Sequence, residues 1–410
     1  MKILIVSEMS VPYAVGGGEV RYGLLARELA RRGHDVTWLS KRQRQSPTEE
    51  TTDGVRHLHR GPRIQNPPSR PLFAMLRYMV AAFWHVLTHR YDVIDCQPYA
   101  PLPAVWTAAT LSRQKMVATI HDTSSRAAGA MPAQPGQPDG GDDQWLSARD
   151  RLIVGPIETL LYRLPYRRIV TDTFGVRRTL AKLFGVSDRR IVTVHCGIDT
   201  HAIAAAPAAT EQADVLFAGR IIPHKHVDDF LDAVALVGQA RRARGLAPVR
   251  AAVVGDGPLL PEMRARAADL GLAPTASPPA VAAIQEPAAA TVEFCGSLAD
   301  HADVIGRMKS ARVLVLPSTR EGFGLVLAEA LACGTPCVAY DVPAVREVLA
   351  DGAAGVLVPP RDVAGLAAAI DRLLTDSAER GRLIVAGRRQ VAECFAADRF
   401  ARGMIAAYES

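Results

Sequence analysis

Two doubly wound α/β domains are predicted for this chain, and three observations predict them. Apolar runs of four to six residues alternate with helix-period segments from end to end, which implies parallel strands joined by helices. At 410 residues the chain exceeds one ordinary core and suits two domains of about 200 residues each. The alternation lapses at Ala202–Gln212, an Ala/Pro stretch with few core residues that reads as a linker. The expected domains are therefore 1–205 and 206–395.

Lys2–Ser7, rich in Ile, Leu and Val, reads as a buried strand. The helical pattern Gly23–Arg32 follows and stops at Gly33. Strands are then predicted at Val36–Leu39, Val93–Cys96, Met116–Ile120, Ile169–Thr171 and Ile191–Val194, with helices at Thr107–Ser112 and Thr179–Leu183. The second half repeats the scheme. Its strands are Asp214–Ala218, Arg250–Val254, Val292–Cys295, Val313–Leu316, Pro336–Ala339 and Gly355–Val358, and its helices include Val227–Gln239 and Leu366–Leu374. Ala127–Ala148 and Gly271–Ala290 are Pro-, Gly- and Ala-rich and bury too little apolar area to be expected to order. The first follows a strand end and suits either a flap over a ligand site or an insertion with no role.

Charge is uneven. Residues 1–205 hold 27 basic and 18 acidic side chains, and residues 206–410 hold 21 and 24. A basic first half suits an anionic or membrane-associated acceptor, or a solvated arginine-rich face. Nucleic acid is not expected, because neither zinc-finger spacing nor an aromatic RNA-binding signature occurs. The six cysteines are scattered and several sit in apolar runs, which points to reduced thiols in the cytoplasm and to no metal site. Met1–Ser7 carries no secretory pattern. The longest apolar stretch, Leu72–Leu87, is interrupted by Arg77 and His85 and is too short to span a bilayer. It reads as a helix packed in the first domain or as an interfacial helix. Nothing indicates an oligomeric state.

The chemistry concentrates in four segments. Pro317–Pro336 (PSTREGFGLVLAEALACGTP) places a Gly-bearing turn after a strand and then a helix. Gly322 and Gly324 allow close backbone approach, and the free N–H groups of a helix start make an anion site. Glu321 and Glu329 bracket the turn with seven residues between them, and carboxylates accept strongly from sugar and ribose hydroxyls. Gly219-Arg220 and Lys225 lie in the loop after the second domain's first strand, where a guanidinium fork and an ammonium can converge on a diphosphate. Gly255-Asp256-Gly257 is a further strand-end turn that would border a base pocket. In the first domain Gly16-Gly17-Gly18-Glu19 reads as a loop before a helix, without the spaced dinucleotide fingerprint. His121 and Asp122 cap the strand Met116–Ile120, a ligand-facing position in an open sheet.

On these residues the chain resembles the retaining glycosyltransferases of family 4 on the GT-B fold, two Rossmann-like domains facing across a cleft. Glu321 and Glu329 within EGFGLVLAEALACGTP carry the resemblance most specifically. Gly219, Arg220 and Lys225, the VGDGP turn, Cys196–Asp199 and Asp351–Asp362 add to it. The resemblance implies roles. Arg220 and Lys225 would bind the donor diphosphate, with Gly17 and Gly18 approaching it from the opposite wall. Glu321 and the backbone of Gly322, Phe323 and Gly324, followed by Leu325 and Val326, would hold the donor sugar. Glu329 would hold the ribose, and His121, with Glu19 and Asp122, would meet the acceptor. The segment 396–410 would return to the first domain as a helix. His195-Cys196, Thr171–Thr173 and His226 depart from the family pattern.

The resemblance also implies hexosyl transfer from a nucleotide-diphosphate sugar to a natural product, lipid-linked sugar or polysaccharide. UDP is expected first and GDP second. The donor would be a co-substrate, and neither cofactor nor metal is expected. Retention would proceed by same-face attack assisted by the departing phosphate. A phosphorylase with a cofactor lysine, a nucleotide-sugar epimerase and a non-catalytic sugar-nucleotide binder remain open at this stage.

Overall fold

The computed structural model describes residues 1–13, 16–43, 45–64, 72–98, 101–123, 148–274 and 288–410, without the side chains of 148–154, 273 and 274. The expected flap therefore lies outside the described residues apart from Ala148, as does 275–287 of the second insertion. Two compact units emerge, one running to Gly197 and including Ala396–Ser410, the other Ile198–Phe395.

The first unit runs β1 (Lys2–Val6), α1 (Gly17–Arg31), β2 (Asp35–Gln43), β3 (Glu49–Thr52), β4 (Val55–Ile64), α2 (Leu72–Thr88), β5 (Val93–Cys96), α3 (Leu102–Leu111), β6 (Met116–Ile120), α4 (Ala148–Arg163), β7 (Arg168–Thr171), α5 (Phe174–Leu183) and β8 (Ile191–Thr193). Its sheet has the order β3-β4-β2-β1-β5-β6-β7-β8, parallel except for β3 against β4. That edge hairpin was not expected from the apolar pattern. It turns at Asp53-Gly54, where φ is 53° and 77°, the positive pair a two-residue hairpin turn demands. Along β1 the side chains alternate: Leu4 and Val6 join one core layer, Ile3 and Ile5 the other.

The second unit runs α6 (Thr200–Ala205), β9 (Val215–Ala218), α7 (Val227–Ala243), β10 (Val249–Val254), α8 (Leu260–Asp269), β11 (Ala273–Pro274), β12 (Ala290–Gly296), α9 (His301–Ser310), β13 (Val313–Leu316), α10 (Leu325–Cys333), β14 (Cys337–Tyr340), α11 (Pro343–Val348), β15 (Val356–Val358), α12 (Val363–Thr375) and α13 (Ser377–Gln390). Its sheet is parallel throughout, in the order β11-β12-β10-β9-β13-β14-β15. Strand order reverses at β9/β13, as it does at β1/β5 in the first unit. In open parallel sheets such switch points are where ligands bind, beyond the strand C-termini.

The stretch expected as a linker is structured. Asp199 caps α6 by accepting from the Ala202 N–H at 2.9 Å, and Ile203 is buried. Lys309 Nζ then donates to the Ala206 carbonyl at 2.5 Å and Ser310 Oγ to that of Ala209 at 2.6 Å. These bonds tie Ala/Pro backbone to α9, so the division falls after Gly197 instead of Ala205.

The last helix, α14 (Ala397–Glu409), packs on α1 in the first unit through Phe400, Met404 and Tyr408. Its anchor is polar. Asp95, fully buried at β5, accepts from Tyr22 (3.1 Å) and Thr119 (2.6 Å) on one oxygen and from Tyr408 (2.6 Å) on the other. Replacing Asp95 with Ala leaves three buried hydroxyls without an acceptor, at about 1–3 kcal/mol each. Asp95→Ala should therefore lower unfolding free energy by about 3 kcal/mol or more, and Tyr408→Phe by about 1 kcal/mol. Urea titrations of both variants check this.

Candidate active site

In the second unit the site is built on the two strands flanking the switch point. After β9 the chain turns at Gly219 (φ 153°), passes Arg220 and forms a short 3₁₀ turn, Pro223–Lys225. After β13 it runs through Ser318, Thr319 and Arg320 to Glu321. Lys225 Nζ donates to Glu321 Oε1 at 2.5 Å, and both side chains are largely buried. Beside them His224 is buried, its Nδ1 without a hydrogen-bond partner among the described residues. Burial, with the positive charges of Arg320, Lys225 and Arg220, pushes its pKa down to about 3. His224 is thus neutral, and those three cations share one neighbourhood. The Ser318 hydroxyl, fully buried, also lacks a hydrogen-bond partner there.

Gly324 begins α10 in the left-handed region (φ 93°, ψ 52°) with no side-chain cap, so the first-turn amides of Leu325 and Val326 stand at an uncapped helix start. The positive end of the dipole lies there with them. Phe323 contributes backbone only, because its ring is buried edge-on against Phe395 at 5.2 Å. Glu329, one turn into α10, is buried and bonds His301 Nε2 at 3.0 Å. That bond outweighs burial and raises the His301 pKa.

His226, which follows Lys225, adopts a left-handed conformation (φ 46°, ψ 54°) at the start of α7. Its Nε2 meets Thr319 Oγ1 at 2.9 Å, and its Nδ1 meets Arg361, itself left-handed (φ 67°). Arg361 also bonds Asp229 at 2.9 Å, and Tyr340 donates to Asp229 at 2.5 Å. Burial pushes the Asp229 carboxyl up to about 6, against the Tyr340 hydroxyl and Arg361. This network braces the Lys225 and Thr319 loops from beneath.

The two glycines of the VGDGP turn carry a packing constraint of their own. A Cβ on Gly255 would lie 1.9 Å from the Gly219 carbonyl, and one on Gly257 2.2 Å from that of Ile221. Gly255 and Gly257 are small because the Gly219–Ile221 loop rests on them, held by Gly219 N–H to Val254 and Ile221 N–H to Asp256, each at 2.9 Å.

In the first unit His121 projects beyond β6. Its Nδ1 bonds Asp172 Oδ2 at 2.7 Å, and Asp172 Oδ1 accepts from Arg21 Nε at 2.7 Å. Burial pushes Asp172 up, but Arg21 and His121 together overcome it and hold the carboxyl below its ordinary value. An ionised Asp172 only accepts, so Nδ1 carries the proton. Nε2 is buried and has no partner among the described residues. Gly18 lies against it: a Cβ there would meet Gln97 at 2.9 Å and the His121 ring at 3.7 Å. Gly16 is the N-cap of α1, and Gly17 and Gly18 are its first helical residues, not a free loop. The Glu19 carboxylate folds back against Gly16 over that helix start, where the dipole favours an acid. Asp122 receives the Thr123 N–H at 2.7 Å.

The structure thus brings Lys225 and Glu321 into contact, groups Arg220 with them around His224, and sets Gly18 beside His121. Glu329 pairs instead with His301. Asp172, Arg21, Gln97, His224 and His301 were not singled out from sequence. Asp172 had a signal, since it directly follows the strand Ile169–Thr171 at the ligand-bearing edge.

Known proteins match this arrangement along nearly the whole chain. Residues 15–202 match the family described as Glycosyltransferase Family 4, and residues 212–376 match Glycosyl transferases group 1. A D-inositol 3-phosphate glycosyltransferase of Kineococcus radiotolerans is 31% identical over 402 residues, covering 89% of this chain and 84% of its own. The chain belongs to the family 4 glycosyltransferases. A glycogen synthase of Mycobacterium tuberculosis is 27% identical over 421 residues, covering 96% of this family 4 chain and 91% of its own. Among solved structures, sucrose-phosphate synthase from Thermosynechococcus elongatus aligns with a TM-score of 0.77 at 21% identity, over 100% of this chain and 98% of that one. Anabaena HepE in complex with UDP-glucose aligns at 0.72 and 17%, over 100% and 99%. The fold of this glycosyltransferase is GT-B.

The His301–Glu329 pair generates a pH signature. His301 is held above its unfolded value of about 6.5. Its contribution to stability is therefore full below that value and is lost as pH rises through the folded one. The melting-temperature gap between wild type and His301→Ala should be wider at about pH 5.5 than at about pH 8.5. A gap independent of pH would remove the ion pair from the account.

Proposed function

We propose that this family 4 enzyme is a retaining, metal-independent hexosyltransferase that takes its sugar from a UDP-sugar and passes it to a hydroxyl acceptor. The observation that carries the reading is the Lys225–Glu321 contact, with Arg220 and Arg320 acting on the same buried His224 beside the uncapped start of α10. Three cations and a helix N-terminus make a surface on which a diphosphate can leave with its charge met. A divalent metal supplies that service in other enzymes. Glu321 would accept from sugar hydroxyls, and Glu329 from the ribose diol.

Retention fits the state of the carboxylates. Glu321 is engaged by Lys225 and Glu329 by His301, so neither is poised as a covalent nucleophile. Same-face attack, with the departing phosphate taking the acceptor proton, needs no such group. His121 Nε2, its tautomer set by Asp172, would orient the reacting hydroxyls.

UDP is the first nucleotide to test, supported by HepE in complex with UDP-glucose, and GDP is the second. The basic first half favours an acceptor with anionic character, and the Kineococcus relative is named for inositol 3-phosphate. A cytoplasmic enzyme peripheral to a membrane completes the proposal.

Thermal stabilisation by UDP, GDP, ADP and dTDP and their sugars tests the donor, since a ligand that binds only the folded state raises the melting temperature. UDP or a UDP-sugar should give the largest rise. Arg220→Ala and Lys225→Ala should each lose most of that rise and about 10²–10³-fold in kcat. Near-normal turnover in both variants refutes the assignment. An inverted anomeric product by NMR refutes retention, and loss of turnover in EDTA refutes metal independence.

A further inference from the structure

Helix α2 is apolar on both sides. Ala74, Tyr78, Ala82 and Val86 are buried in the first unit's core. On the outer side Leu72 is 64% exposed, Phe73 64%, Leu76 49%, Val80 57% and Trp84 56%. A surface helix ordinarily turns polar residues outward. Single exposed apolar side chains are common, but here they recur at positions 72, 76, 80 and 84, four apart and so in one row. Among the 17 residues of α2 the one Arg, Lys, Asp or Glu is Arg77, whose guanidinium lies over the Phe73 ring at 5.5 Å. Helix α3 packs beside α2 and adds Leu111, also well exposed.

The charge around this face is mainly basic, the exposed Asp92 being the acid nearest the rim in sequence. From Val55 to Tyr91 the chain carries six arginines and neither Asp nor Glu, and from Cys96 to His121 it carries Arg113 and Lys115 and again no acid. Arg90 bonds the Ser112 carbonyl, which brings the C-terminal ends of α2 and α3 together. Exposed His89, Arg90, Arg113 and Lys115 therefore form a basic rim at one end of the apolar row.

We propose that the outer face of α2, with the end of α3, docks on a bilayer surface rich in anionic lipid. The apolar row would enter the headgroup boundary, while Arg77 and the rim meet lipid phosphates. Trp84 and the long arginine stems suit that boundary, where one end of a side chain is dry and the other wet. The helix lies on the membrane and does not cross it: 17 residues rise about 25 Å, and no helix among the described residues is long and apolar enough to span. A second copy is a poorer occupant, because neither α2 nor α3 offers an acid to pair with the partner's rim.

The test uses the full chain without nucleotide, so its outcome does not depend on the donor reading. Flotation is measured with phosphatidylcholine vesicles and with vesicles containing about half phosphatidylglycerol. The enzyme should float with the anionic vesicles only, and less so when salt rises from about 0.1 to about 0.5 M. Leu76→Glu/Val80→Glu should bind at least about tenfold more weakly. Arg77→Glu/Lys115→Glu, which touches no core position, should do the same if the apolar variant fails to fold. No flotation, equal flotation with both vesicles, or unchanged binding in both folded variants overturns the proposal. So does a solution dimer that Leu76→Glu/Val80→Glu dissociates while vesicles stay bare, since that gives the face to a second copy.

Discussion

The second unit's chemistry rests on one ion pair, Lys225 with Glu321. The two groups come from loops after different strands, and each is largely buried, so either alone would be an uncompensated charge in a poor solvent. Pairing holds the β9 loop to the β13 loop at the switch point of the sheet. An anion approaching Lys225 would meet an ammonium already shared with an acid. The left-handed residues His226 and Gly324 lie one and three positions beyond the pair and start the two helices α7 and α10. A small shift in the pair would thus re-aim two helix N-termini at once.

The first unit solves a similar problem by a chain instead of a pair. Arg21 is buried under Phe400 and Tyr22, and its charge is matched by Asp172, whose second oxygen fixes His121. A buried arginine is costly unless matched, and matching it through a carboxylate that also orients an imidazole gives one structural ion pair a role at the ligand-bearing edge. The histidine is held through Nδ1, and Nε2 is buried without a hydrogen-bond partner among the described residues.

Much of this was legible in the sequence because parallel sheets write simple signals. Val93–Cys96, Met116–Ile120 and Val313–Leu316 are strands with the ends their apolar runs suggest. Glu321, Lys225 and Arg220 stood out because strand-end loops seldom gather so many charges beside glycine, and the structure brings Glu321 and Lys225 into contact. What the sequence did not offer depended on partners distant in the chain. Asp172 gains meaning only from His121, 51 residues earlier, and the partner of Glu329, His301, stands 28 residues before it. Gly255 and Gly257 also carry the Gly219 loop, a contact the sequence does not announce. Gly17 and Gly18 resemble a loop because glycine disfavours helix interiors, yet a first turn tolerates them. The hairpin at Asp53-Gly54 was announced by its turn residues and missed because its strand Glu49–Thr52 is polar.

The position of α14 bears on how the protein is made. Tyr408 completes the cluster on Asp95, and Phe400 covers Arg21, yet these residues leave the ribosome after the whole of the second unit. Until then the nascent first unit holds a buried carboxylate and a buried guanidinium with part of their cover absent. The second unit, continuous from Ile198 to Phe395, can close first. The half that emerges earliest therefore cannot reach its final packing until the other half has been synthesised.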